Sequence, residues 1–180
     1  MRNRFLVRYL VAAMGLTLLA TSCSSDAAAT AKPKAVVRPT TNRGLCKLVP
    51  PSVVATAITT SMQFPVTLIH GSETQCTYRP MTGINAAVLI RFDTDASGKS
   101  FAASKKTFAH HGLKLTPIEG LGDKAYFFSL GAGESTTVTT VVVVKGSLQI
   151  LTTGTGTIDQ IGAVARYALN AFESLQPQHP

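Results

Sequence analysis

Side chains able to do chemistry are few in this chain and lie far apart in sequence. Its 180 residues hold three cysteines (Cys23, Cys46 and Cys76) and four histidines (His70, His110, His111 and His179). Neither Cys46 nor Cys76 has a second cysteine or a histidine at metal-ligand spacing, which argues against thiolate catalysis or a zinc site. His110 and His111 are adjacent, so on a helix they point about 100° apart; a helix C-terminus that favours cations accounts for them without a metal. His70 and His179 read as solvated. Ser135, in Gly133-Glu134-Ser135, lacks the Gly-x-Ser-x-Gly elbow of a hydrolase, and no carboxylates pair in an apolar context. Gly154-Thr155-Gly156 has the outline of a dinucleotide turn. Asp159 stands where the third glycine belongs, and an anion in the first helical turn repels phosphate. Gly120-Leu121-Gly122-Asp123 offers glycine amides to an anion. A tight turn is the preferred reading, with the glycines at positive φ, Asp123 bonding nearby amides and Leu121 plugging the core. The expectation is therefore a protein with no catalytic residues, no metal and no cofactor, and not an enzyme.

The first stretch of the chain reads as an address. Arg2, Arg4 and Arg8 come without an acid and lead into an apolar run from Leu10 to Ala20. That run is shorter than the roughly 20 residues a membrane span needs, so a secretory signal fits better. Leu18-Leu-Ala-Thr-Ser-Cys23-Ser24 ends the run with small residues and a cysteine. It resembles the lipobox of bacterial lipoproteins, with Ala20 where leucine is most frequent. The resemblance implies cleavage before Cys23 and acylation of its thiol, hence a signal peptide over 1–22. If Cys23 carries lipid, Cys46 and Cys76 remain as one pair in an exported, disulfide-permissive compartment, and a Cys46–Cys76 bridge is expected over two unpaired structural thiols. From Ser24 to Arg43 the chain is Ala, Thr, Ser, Pro and Lys with only Val36 and Val37 as larger apolar residues. Such a stretch buries too little to offset ordering entropy, so 23–43 is expected to be a lipidated cysteine and a disordered tether.

The net charge of +8 is carried mostly by those first segments; from Gly44 onward ten basic residues face eight acidic ones. That leaves no basic footprint for nucleic acid. One domain is expected over 44–177, followed by a tail at 178–180.

Within that domain the periodicities alternate. Val54, Ile58 and Met62 predict a helix over 51–62, with proline in its first turn. Strands are expected at 65–69 and 74–79, with Cys76 and Tyr78 sharing the core face. Ile84, Ala86, Val88, Ile90 and Phe92 predict one half-buried strand over 84–92. A second helix is expected over 98–111, with Phe101, Ala102, Lys105, Phe108 and Ala109 as its stripe and Gly112 as its cap. Further strands follow at 114–118, 125–130 and 136–144. A turn at Gly146-Ser147 returns a last strand over 148–153. The valine run must lie inside a sheet, since exposed it would invite aggregation. Thr157 and Gln160 form a capping-box pattern before the stripe Ile161, Ala165, Ala168, Leu169, Phe172 and Leu175. Hairpins outnumber crossovers, so the fold class is α+β: a twisted antiparallel sheet with about three helices packed mainly on one face.

Cys46-Lys-Leu-Val-Pro50, Cys76-Thr-Tyr78 and Gly120-Leu-Gly-Asp-Lys-Ala-Tyr126, together with Cys23 and its tether, carry a wider resemblance. The chain is similar to small actinobacterial, largely mycobacterial, cell-envelope lipoproteins built on a domain of unknown function. It also resembles the extracellular sensor domains of mycobacterial receptor kinases. The resemblance implies an exported binding or sensor module, lipid-anchored on the extracytoplasmic face of the cell membrane. Besides the membrane, the expected partner is either a small apolar ligand or an envelope protein. Phe101, Phe108, Tyr126, Phe127 and Phe128 are the candidates to line a cleft, although they are core candidates first. The alternative is a structural or protein-interaction lipoprotein with no small-molecule ligand.

Overall fold

A computed structural model describes residues 42–83, 86–131 and 137–175. The expected signal peptide, Cys23, the expected tether up to Thr41, Ser135 and His179 lie outside the described residues. The described chain opens with a 3-10 segment, Asn42–Leu48, and runs on into α1, Pro51–Ile58. Pro51 sits where its missing N–H costs nothing. This helix stops four residues short of the expected Met62. Thr59 adopts a left-handed conformation at φ 56° and turns the chain out, and Met62 reaches the core through a β-bridge to Pro80 instead. β-Branched Val53, Val54, Thr56, Ile58, Thr59 and Thr60 give a helix little support here.

Seven strands follow: β1 Val66–His70, β2 Glu73–Tyr78, β3 Val88–Asp93, β4 Thr116–Ile118, β5 Lys124–Leu130, β6 Val138–Lys145 and β7 Leu148–Thr155. They form one antiparallel sheet in the order β1-β2-β3-β7-β6-β5-β4. The valine run is thus interior, between β7 and β5. The expected strand over 84–92 begins only at Val88; Ile84 and Asn85 lie outside the described residues. Lys145 pairs with Leu148 across the two-residue turn, with Gly146 at φ 57°. α2 (Gly98–His110) and α3 (Ile158–Glu173) both start on capping boxes, Ser97 with Ser100 and Thr157 with Gln160.

The sheet is covered on both faces. On one, α1 and α3 pack with Val54, Ile58, Ile161, Val164, Ala168 and Phe172 against Cys76, Tyr78, Ile90, Phe92, Val141, Val143 and Ile150. On the other, Phe101 of α2 packs on Tyr126, Phe128, Val142 and Val144, with Phe108 and Leu115 partly buried at the margin. Two helices on one face and one on the other make this an α+β fold.

Gly154 lies in β7 where a Cβ would come within 2.9 Å of Val88 and 3.1 Å of Ile161, so α3 needs a glycine beneath it. Together with the Thr157 cap that follows, this accounts for the glycines of the dinucleotide-like turn.

Candidate functional site

Cys46 and Cys76 form a disulfide with their Cα atoms 5.4 Å apart, tying the 3-10 segment to β2. Beside it, the fully buried Tyr78 hydroxyl donates to the carbonyls of Val49 (2.7 Å) and Cys46 (3.2 Å). Burial holds the Tyr78 phenol well above the usual tyrosine range. The disulfide and Tyr78 are therefore structural groups.

The Gly120–Asp123 stretch is a turn docked on β6. The Asp123 amide donates to the Val144 carbonyl, and its carboxylate accepts from the Gly146 amide and pairs with Lys145. Those contacts, the Gly146 bond first, hold the Asp123 carboxyl below the ordinary range. Leu121 is buried, and a Cβ on Gly122 would stand 2.6 Å from the Val144 carbonyl oxygen. Gly120 gives its carbonyl to Arg166 of α3. The Asp123 amide is thus engaged within the sheet, as a tight turn requires.

Four of the five aromatic candidates meet on the α2 face. Ring centroids lie 5.2 Å apart for Phe101 and Tyr126, 6.5 Å for Phe108 and Tyr126, and 4.7 Å for Phe108 and Phe128. Phe127 does not join them: strand alternation turns it to the opposite face, against the larger core. Within the cluster the Tyr126 hydroxyl is hydrogen-bonded to Ser104 at 3.0 Å. Burial raises the Tyr126 phenol, with the Ser104 bond opposing. The rings largely fill their own space, Phe101, Tyr126 and Phe128 being nearly buried. What they leave is a groove at one end of the cluster, holding about 250 Å³ and lined in part by Phe101, Leu115, Pro117 and Tyr126. Lys105 and Lys124, both exposed, complete its charged lining. Of the stripe expected on α2, Ala102, Lys105 and Ala109 are exposed, because the helix rests on the sheet by little more than its phenylalanines.

A larger groove, about 490 Å³, runs over α3 between Ile118, Ile158 and Tyr167, and carries both Asp159 and Arg166. His110 and His111 sit at the end of α2 with rings 5.9 Å apart; among the described residues no group of three potential metal ligands gathers anywhere. No described helix is long and apolar enough to cross a membrane.

The other feature is an exposed edge strand, which the protein-interaction alternative allows for but which no motif assigned to β1. Among the described residues β1 pairs with β2 alone, and every one of its residues is exposed. Phe64, just before it, is 86 % exposed, and Val66 and Leu68 are 60 % and 62 % exposed. Val66 and Leu68 lie opposite Thr77 and Gln75, on the sheet face that α2 leaves open at this end. No Asp, Glu, Lys or Arg occurs from Phe64 to His70. The far edge is guarded: β4 has three residues and contains Pro117. The signal lay in Phe64-Pro-Val-Thr-Leu-Ile69, which has too few polar residues to supply a solvent face.

No family model matches the chain, and neither do any curated protein sequences or solved structures.

Proposed function

We propose that the chain is a lipoprotein anchored through Cys23 on the extracytoplasmic face of the cell membrane, and that its domain is a non-catalytic binding module docking a partner protein along β1. The single observation behind the docking is the unguarded edge. Phe64, Val66 and Leu68 are exposed at an edge strand that, among the described residues, has no partner on its outer side. Such an edge is a template for an added strand, and burying three large apolar side chains supplies roughly 1.5 to 3 kcal/mol each. The anchor rests on Leu18–Ser24, and the tether would let the domain stand off the membrane. A second reading, a small apolar envelope molecule held near Phe101, Phe108, Tyr126 and Phe128, is favoured by the groove beside that cluster.

A photo-reactive residue at position 68 of the full chain, made in an envelope-bearing host, tests the reading. We expect the chain in the membrane fraction, released by Cys23→Ala, and a discrete cross-linked adduct that Val66→Lys abolishes. A chain that leaves the membrane with Cys23 intact overturns the anchor. A membrane-bound chain that forms no adduct from position 68 overturns the docking edge.

A further inference from the structure

We infer that the groove between α2 and the β4–β5 edge binds an anionic amphiphile, its acidic head between Lys105 and Lys124 and its slim apolar stem on Leu115, Pro117 and Phe101. The site is independent of β1, since the two lie at opposite edges of the sheet. Two facts about charge carry it. Lys105 comes from α2 and Lys124 from β5, yet both line one groove whose remaining lining is apolar or aromatic and contains no acid. Neither lysine has an ion-pair partner among the described residues. Asp123, next to Lys124 in sequence, is already held by Lys145 and the Gly146 amide.

In sequence, the stretch that contributes Lys105 is basic, bounded by Asp95 before it and Glu119 after it. From Ser97 to Ile118 the charged residues are Lys99, Lys105, Lys106 and Lys114, with no acid among them. Lys105 and Lys124, the two charged residues of the groove lining, repel one another while it is empty, and an anion between them relieves that repulsion. The larger groove over α3 has no such preference, because Asp159 opposes Arg166 there. Size limits the ligand. At about 250 Å³ the groove falls just below the roughly 300 to 1,000 Å³ of sites that enclose a whole small molecule. It holds a head and a short stem, and any longer chain runs out over exposed Pro117.

The test uses the unacylated chain (Cys23→Ala), so that no anchor competes, titrated with hexyl phosphate while the amides of Leu115, Lys124 and Ala125 are followed by NMR. We expect saturable shifts at these amides. Lys105→Gln with Lys124→Gln should weaken binding about tenfold or more, as charge-assisted contacts would, with an unchanged melting temperature because both side chains are exposed. Hexanol, which lacks the head, and inorganic phosphate, which lacks the stem, should each bind about tenfold more weakly. Arg166→Gln should bind as the parent does. The inference is overturned by equal affinity in the double lysine variant, by hexanol binding as tightly as hexyl phosphate, or by no saturable shift.

Discussion

Tyr78 shows how one side chain can hold an irregular segment. The 3-10 segment and the turn at Val49 leave carbonyls facing the core, where water cannot reach them, and the Tyr78 hydroxyl supplies the donor. Tyr78→Phe keeps the ring and leaves those carbonyls short of a partner, so it should cost about 1 to 3 kcal/mol at neutral pH. Its pH dependence has a definite sign. Burial raises the folded-state pKa above the ordinary value of 10.0, so above that value the unfolded chain sheds the proton that the folded chain keeps. The contribution is complete below about pH 10 and declines as pH rises beyond it. Urea unfolding at pH 7 and pH 10.5 should show the parent losing more stability between the two than Tyr78→Phe does. Equal losses would mean that Tyr78 ionises as freely when folded as when unfolded. Tyr126 is raised too, but it is common to both proteins and drops out of the comparison.

At the level of elements, α2 and α3 are a contrast made by composition. α3 buries Ile161, Val164, Ala165, Ala168, Leu169 and Phe172, whereas α2 fully buries Phe101 alone. Hydrogen exchange should therefore find α2 amides opening well ahead of those in α3; equal protection would mean that α2 is held by more than its phenylalanines. That contrast also explains which parts of the fold were legible in the sequence. The capping box at Thr157, the hairpin at Gly146 and the Cys76–Tyr78 face are local patterns with one physical solution each, and all three stand as expected. The end of α1 was not legible because Met62 keeps its helical spacing while its burial comes from a strand-like bridge to Pro80. Phe127 was misplaced because a run of three aromatics hides the alternation that sends its middle member to the other face. Phe64–Ile69 shows too few polar residues for a solvent face, but which strand is outermost, and which helix lies over which strand to bring Lys105 beside Lys124, is not written in any single segment.

Considered as a whole molecule, the domain has its irregular N-terminal part stapled to the side of the sheet where the exposed edge lies. The 3-10 segment packs on β1 and β2, and the Cys46–Cys76 bridge joins positions 30 apart in sequence. Any pull transmitted from an N-terminal anchor would thus reach β2 through a covalent bond, and β1 would keep its place beside it. Closing a loop of that length is worth roughly 3 to 4 kcal/mol through the unfolded state, a large share of the 5 to 15 kcal/mol that holds a domain together. Cys46→Ala with Cys76→Ala should lower the urea-unfolding free energy by about that amount. The bonded sulfurs themselves are shielded, Cys76 being 0 % and Cys46 4 % exposed. A mild reductant should therefore act slowly on the folded chain and quickly in urea. A double variant as stable as the parent would mean that the 3-10 segment is held by Tyr78 and packing alone. Rapid reduction of the folded chain would mean that this corner opens readily, and β1 with it.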